Sequence, residues 1–190
     1  MCMRKRKEVK ILGTVKVIFG MMINPSSTIK EAVKNTNAYI SVLVSALAFG
    51  LFFLQTGLDL YKVGQKDFSY VLFSGGVGFA YGLIGVPLIA LVSFVLLKAL
   101  KTEKDVKWAI SSFCLSYSGT LVYGVIGLVF SVVFGWRTAV AFGVTGIIWA
   151  IGPLIVTARE IASQSLRVGL VLVTFFSTLV LLSWSLFINL

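Results

Sequence analysis

The longest uncharged run of the chain is a 27-residue segment, 71–97, that ends just before Lys98. A helix needs about 20 predominantly apolar residues to cross a bilayer, so this run predicts a membrane span with some tilt. Pro87 lies inside the run and predicts a kink. Four glycines of the run share one helical face, at i, i+3, i+7 and i+10: Gly75, Gly78, Gly82 and Gly85. We therefore expect a span with a glycine groove against which other helices pack.

Further apolar runs of similar length indicate more spans. Hydrophobic residues make up 58% of the 190-residue chain and mean hydropathy is +0.98, more than a soluble domain of this size uses. We expect an all-α integral membrane helical bundle of five spans over residues 39–190, preceded by a cytoplasmic, basic and amphipathic segment, 1–38. The predicted spans are 39–58, 71–99, 108–134, 138–157 and 168–190.

The N-terminal segment predicts an amphipathic helix on the membrane surface. Its apolar residues recur at i, i+4, i+7 and i+11: Ile11, Val15, Ile18 and Met22. Six basic residues in it are expected to contact anionic lipid headgroups: Arg4, Lys5, Arg6, Lys7, Lys10 and Lys16. The alternative is a short helix packed against the protein's own bundle. Pro25 predicts the end of this helix, and the capping-box spacing of Thr28 and Glu31 predicts the start of the next.

The distribution of basic residues predicts the orientation. The N-terminal segment and the loops 98–107 and 159–167 together carry fourteen Lys and Arg, whereas the loop 59–70 and the turn 135–137 carry three. Because cytoplasmic loops are enriched in Lys and Arg, we expect a multi-pass protein of the cell membrane with a cytoplasmic N-terminus. Nucleic acid is not an expected partner, because the net charge of +10 flanks membrane spans and leaves no soluble module to bind it.

The third predicted span carries a ridge of small residues. They recur at every fourth position: Ser112, Ser116, Thr120 and Gly124. Ridges of this kind let helices approach closely in membranes. Since only a short charged loop joins spans two and three, we expect the ridge to meet the glycine groove, so that this hairpin forms the core of the bundle.

The residues that catalysis requires are missing from the predicted spans. The chain has no histidine, and its seven acidic residues all fall in loops or in the N-terminal segment. The serines of span three therefore have no base to activate them, so we expect no enzyme activity, no metal and no cofactor. Arg159 and Glu160 are interpreted as solvated loop charges. Cys2 has the position of a lipidation site, although an unmodified thiol is the simpler alternative.

Two stretches carry a resemblance to a known family. They are KVIFGMMINPSSTIKEAV, from Lys16 to Val33, and SFCLSYSGTLVYGVIGLVF in span three. With a basic N-terminal segment, five spans and no external domain, this layout resembles the Yip1 family. The Asp-Leu-Tyr-Gly-Pro motif of eukaryotic members is absent before span one, since Asp59-Leu60-Tyr61 follows that span and lacks the Gly-Pro. Ser116 also stands where the family has glycine, and the short N-terminal segment is more similar to that of bacterial members.

The resemblance implies a non-enzymatic role, because some bacterial members are similar to accessory subunits of membrane machines such as ABC-type exporters. We expect an adaptor, assembly or accessory subunit for other membrane proteins, or a role in membrane organisation. Its expected partners are the lipid bilayer, anionic lipid headgroups and either other integral membrane proteins or a second copy. The alternative is a small permease or lipid-handling channel, with a polar path between the helices that Ser116, Tyr117, Thr120 or Tyr123 would line.

Overall fold

The computed structural model describes residues 2–31, 37–98, 104–162 and 165–188, and the regular elements in these ranges are all helical. Five helical segments are long and apolar enough to cross a membrane: Ala38–Lys62, Phe68–Leu96, Val106–Val133, Ala139–Ile161 and Arg167–Ile188. We refer to them as spans one to five. The prediction of an all-α bundle with five spans is confirmed.

A 22-residue helix and a 7-residue helix precede the spans, and two of the spans contain a π-helical turn. In chain order the helices are α1 (Cys2–Ile23), α2 (Pro25–Glu31), α3 (Ala38–Lys62), α4 (Phe68–Ala80), α5 (Val86–Lys98), α6 (Val106–Ser116), α7 (Ser118–Val133), α8 (Thr145–Ile161) and α9 (Leu166–Ile188). The π-helical turns are π1 (Tyr81–Gly85) in span two and π2 (Ala139–Val144) at the start of span four. Span three is α6 followed by α7.

Spans one, two and three begin at side chains that cap their first turns. The side-chain oxygens accept hydrogen bonds from backbone amides: Asn37 from Tyr39 at 3.1 Å, Asp67 from Tyr70 at 3.1 Å and Asp105 from Trp108 at 2.7 Å. Such caps satisfy amides that have no partner inside the helix. The hydroxyl of Ser69 and the Tyr70 amide also lower the pKa of Asp67, which keeps this cap ionised.

Span one is the centre of the bundle. It contacts span two, both halves of span three and the π-helical turn of span four. Half of its most apolar stretch is buried, which is close to the 56% in span three and well above the 28% in span two and 22% in span five. The prediction that spans two and three form the core hairpin is therefore wrong. They meet through α5 and α6, near the loop that joins them, whereas α4 packs on span one.

The bundle has two ends, which we name by chain direction. At the proximal end spans one, three and five begin and spans two and four finish; the distal end is the opposite one. Span five packs on α8 along its length. Near the distal end it also reaches span one, where the ring of Trp184 lies 5.2 Å from Phe52 and the ring of Phe187 lies 5.1 Å from Phe53.

The N-terminal helices form a hairpin that packs on spans three and four. α1 contacts α6, α7 and α8, and Val17 and Met21 of α1 are buried in the core. Packing against the bundle is therefore the arrangement found for the described part of α1. The predicted apolar face is only partly turned to the bundle, because Val15 of that face is 46% exposed. The segment Gly13–Ile23 is apolar on nearly all sides, so its partners rather than its periodicity decide which face is buried.

The turn between α1 and α2 also differs from its prediction. α2 begins at Pro25, three residues before the predicted capping box. Asn24 is the cap instead, since its side-chain oxygen accepts a hydrogen bond from the Ser27 amide at 3.2 Å. Proline is favoured at the first helical position because its missing N–H would have no partner there. Thr28 serves the turn differently, by donating to the carbonyl of Asn24 at 2.9 Å.

Candidate functional site

The glycine groove of span two fits against span one. A Cβ atom on Gly82 would lie 2.6 Å from the Cα of Ala46, and one on Gly78 would lie 2.5 Å from the Cβ of Phe53. These separations leave no room for a side chain, so the two backbones approach each other at these glycines. The groove is therefore occupied within the chain, by span one.

The other two glycines of the groove have looser surroundings. A Cβ on Gly75 would meet the side chain of Leu54 at 3.0 Å, and one on Gly85 would meet the ring of Tyr81, in its own helix, at 3.2 Å. Span one also has a glycine, Gly57, that packs closely against span two. A Cβ on Gly57 would lie 2.9 Å from the Cα of Val71.

Pro87 is accommodated by the π-helical turn rather than by a simple kink. In this turn the Val86 amide donates to the carbonyl of Tyr81, one residue further back than in an α-helix. Pro87 has no amide hydrogen, so the next carbonyl, that of Gly82, receives no bond from it. The hydroxyl of Ser45 in span one lies 2.8 Å from this carbonyl and 2.9 Å from the carbonyl of Val42, the other acceptor for its single proton. Span one thus provides a hydrogen-bond donor for the carbonyl group that proline leaves without a partner in its own helix.

The small-residue ridge of span three contacts spans four and one. The Ser116 hydroxyl donates to the carbonyl of Ser112 at 2.8 Å and lies 3.3 Å from the Thr157 hydroxyl of span four. The Thr120 hydroxyl donates to the carbonyl of Gly146 at 2.9 Å. The expected contact of this ridge with the glycine groove is therefore wrong, because span one lies between them.

The ridge ends at a contact with span one that sequence reasoning missed. A Cβ on Gly124 would lie 3.0 Å from the Cβ of Leu51, and the Gly124 carbonyl accepts a hydrogen bond from Gln55 Nε2 at 2.6 Å. Gln55 is fully buried, and its Oε1 has no hydrogen-bond partner in the parts of the chain described. The available signal was that Gln55 is the only glutamine within a predicted span.

The hydroxyl groups of Ser116, Tyr117 and Thr120 in span three are enclosed by the bundle, whereas Tyr123, the fourth residue expected to line a polar path, is half-buried. Ser116 and Thr120 have no solvent-accessible surface, and Tyr117 is 3% exposed. These residues were the expected lining of a polar path. Ser116 and Thr120 instead bond to neighbouring spans, as described above.

The proximal end carries a buried carboxylate between two lysines. Glu160, at the end of α8, is buried, and its oxygens lie 3.9 Å from Lys30 Nζ of α2 and 3.8 Å from Lys104 Nζ. Lys104 also lies over the ring of Trp108, 4.9 Å from its centre. The interpretation of Glu160 as a solvated charge is therefore wrong, because α2 covers it. This cluster holds the N-terminal hairpin to spans three and four.

Most of the predicted membrane-surface residues lie outside the described side chains. This applies to Arg4, Lys5, Arg6, Lys7 and Lys10 of α1. Lys16 is described, and its side chain is exposed.

The distal end is held by two charged side chains of span one. The carboxylate of Asp59 accepts hydrogen bonds from the amides of Thr138 and Ala139, at 3.0 and 2.8 Å. It therefore caps the start of span four, where the helix dipole favours negative charge. Lys62 Nζ lies 2.7 Å from the Ser131 carbonyl, 2.6 Å from the Ser131 hydroxyl and 2.8 Å from the Trp136 carbonyl. These acceptors engage all three donors of the ammonium group.

The predicted tight turn between spans three and four is present. Gly135 has φ +70°, a left-handed conformation that glycine adopts without strain. The Trp136 amide reaches back to the carbonyl of Phe130 at 3.4 Å, which closes the helix end. The turn places Trp136 and Arg137 at the distal surface, where both are exposed.

A cavity of about 600 Å³ opens at the distal end between spans one, four and five. At its inner side the Trp184 indole donates a hydrogen bond to the Thr56 hydroxyl at 2.9 Å. Its apolar lining includes Val140, Ala141 and Ile188. Its polar border is formed by Asp59, Gln65 and Arg137. The cavity therefore has an apolar wall and a polar rim. Sequence reasoning missed it, because its lining comes from three separate spans.

Small residues also lie on the side of span two that faces away from the bundle. Gly76 and Ala80, one helical turn apart, are both exposed, and a Cβ on Gly76 would meet no atom within 4 Å. Span two therefore has small residues on two faces. Gly78 and Gly82 are covered by span one, whereas no described residue covers Gly76 and Ala80.

No group of three or more potential metal-ligating side chains occurs among the residues that the structure describes. Comparison of the chain with protein-family models, curated proteins and solved structures found no match. The resemblance to the Yip1 family therefore stays a prediction.

Proposed function

We propose that this protein is a non-enzymatic, Yip1-like membrane protein that assembles with other membrane proteins, as an adaptor or accessory subunit, or that organises the bilayer. The observation that carries the proposal is the uncovered pair Gly76 and Ala80 on span two. Small residues in membranes allow a second helix to approach closely, because hydrocarbon provides no hydrophobic drive and packing must supply the attraction. Span two already uses this device internally, at Gly78 and Gly82.

The enclosed hydroxyl groups of span three support assembly over transport. A permease needs a polar, water-accessible route at the middle of the bundle, but Ser116 and Thr120 are buried and bonded to neighbouring helices. The polar groups of the interior thus serve helix packing. The exposed surface of span two is where an external partner would act.

The proposal is tested by Gly76→Leu. Cross-linking in native membranes, followed by purification in mild detergent, should capture a membrane partner or a second copy with the wild-type chain. We expect Gly76→Leu to reduce that capture about tenfold, because the added side chain holds a partner helix away. Gly152→Leu is the matched control, since Gly152 of span four is equally exposed and unobstructed. Equal capture by all three chains would overturn the assignment to span two.

The proposed location is the cell membrane, with the proximal end in the cytoplasm. Fourteen of the seventeen Lys and Arg residues belong to the N-terminal segment and to the loops 98–107 and 159–167, an excess that the positive-inside rule associates with the cytoplasmic side. Cysteines introduced at Gln65 and Lys107 test this, because both residues are exposed and lie at opposite ends. An impermeant maleimide added to intact cells should label Gln65→Cys and leave Lys107→Cys unlabelled. The reverse pattern would invert the topology.

A second candidate function is lipid handling, and the distal cavity favours it. The cavity connects apolar surface inside the bundle to charged groups at its end, which is the chemistry of an amphiphile.

A further inference from the structure

The distal cavity has an apolar wall at the level of the spans and a polar rim beyond them. Trp184 and Val140 belong to spans five and four, whereas Gln65 lies past the end of span one. A molecule that fills the cavity must therefore match hydrocarbon at one end and the membrane–water interface at the other. Its volume of about 600 Å³ falls within the range of ordinary ligand sites.

The charges at the rim are not equivalent. Asp59 uses both of its oxygens on the amides of Thr138 and Ala139, so its negative charge is already compensated by the start of span four. Arg137 has no ion pair or hydrogen bond with any side chain or backbone group that the structure describes. The nearby Lys62 is engaged by three oxygens of the chain. Arg137 is thus the cation of the rim that is available to an anion.

From this geometry we propose that the distal cavity binds one phospholipid. The phosphate contacts the guanidinium of Arg137, whose planar donors match a phosphate in a bidentate arrangement. The first part of an acyl chain lies along Val140, Ala141 and Ile188 and contacts the Trp184 indole, which is anchored to Thr56. The site is separate from the Gly76 surface of span two, and it does not depend on the proposed role in assembly.

Native mass spectrometry of the detergent-purified full chain, with phosphatidylglycerol as the probe, tests the site. We expect one lipid retained per wild-type chain. Arg137→Gln should weaken its affinity about tenfold, the effect of losing one charge-assisted contact. Ala141→Trp should do the same by filling the cavity. Both positions are exposed, so these variants are expected to fold, which thermal unfolding checks.

Two matched controls use exposed positions away from the cavity. Arg167→Gln removes a cation at the proximal end, and Val129→Trp adds an indole to the surface of span three. Both should retain lipid as the wild type does. Equal retention by all five chains would overturn the site, and loss in Ala141→Trp alone would overturn the phosphate contact at Arg137. Displacement of the lipid by excess inorganic phosphate would show a free-anion site and overturn the assignment to a lipid.

Discussion

At the scale of single residues, the absence of a side chain at Gly82 allows the backbones of spans one and two to approach closely. A methyl group there would lie 2.6 Å from the Cα of Ala46, and because that neighbour is backbone it cannot move aside as a side chain would. The whole helix contact must open instead. The equivalent argument applies to Gly78, where a methyl group would meet the backbone carbonyl oxygen of Phe49.

We therefore expect Gly82→Leu to lower the free energy of unfolding by at least about 3 kcal/mol, the upper part of the range for overpacked cores. Thermal unfolding in mild detergent measures the effect. Gly76→Leu is the matched control, since it adds the same side chain to the uncovered face of the same span and should change stability little. If both variants melt alike, the close approach at Gly82 does not stabilise the bundle.

Ser45 and Pro87 are coupled through one carbonyl group. Ser45→Ala removes the donor to the Gly82 carbonyl, which leaves a buried acceptor without a partner. We expect the free energy of unfolding to fall by roughly 1 kcal/mol. This lies between the cost of an unsatisfied group in a soluble core and the value of a hydrogen bond between membrane helices.

The double variant provides the test of this coupling. Pro87→Ala restores an amide hydrogen near the same carbonyl, so Ser45→Ala should cost clearly less in that background than in the wild type. Urea or thermal unfolding of the four chains in a double-mutant cycle measures the difference. Additive losses would mean that the serine does not compensate for the proline.

At the scale of elements, the N-terminal hairpin is part of the bundle. α1 contacts α7, whose first residue lies about 18 Å along span three from its proximal start, at 1.5 Å per residue. Part of α1 therefore runs beside the middle of a span. Val15, Phe19 and Ile23 form an exposed apolar stripe on this helix, which is the surface expected of a helix that borders lipid.

The lysine–glutamate cluster is expected to hold this hairpin in place. Glu160→Gln removes the negative charge that faces Lys30 and Lys104, both of which are partly exposed. Each such pair contributes about 0.2–1 kcal/mol, so the fold should persist while α2 opens more often. Hydrogen exchange of the amides of α2 should become several-fold faster, and Lys107→Gln, at an exposed lysine outside the cluster, is the control. Unchanged exchange in Glu160→Gln would show that apolar packing alone retains α2.

At the scale of the whole molecule, polar side chains are enclosed while apolar ones face outward. Ser45, Ser112 and Thr157 have no accessible surface, and span five is largely uncovered. This arrangement suits a protein that works through its outer surface. It differs from a transporter, which carries polar groups along a route that water reaches.

Reconstituted liposomes test this difference. We expect the wild-type chain to give no more flux of ions or small polar solutes than protein-free liposomes, since the hydroxyl groups of span three are closed off by spans one and four. The control is the same preparation doped with a pore-forming peptide, which must show flux. Flux above background that Ser116→Leu abolishes would favour the permease alternative.

The sequence by itself determined the membrane class and the number of spans. Uncharged runs such as 71–97 are long and apolar enough to cross a membrane. They must do so as helices, because backbone polar groups in hydrocarbon need hydrogen-bond partners within the helix. The glycine face of span two could also be predicted from the sequence, because it depends on spacing along one helix. The same holds for the turn at Gly135, which depends on the backbone freedom of one residue.

The tertiary structure alone decided which partner each face meets. Gly78 and Gly82 look equally suited to span three or span one, because a small-residue face specifies close packing but not the helix that packs. The contacts of Asp59 and Glu160 could likewise not be predicted from the sequence, since the surroundings of a loop charge come from distant parts of the chain. Spacing along one helix is local information, whereas contacts between spans depend on how all five arrange together.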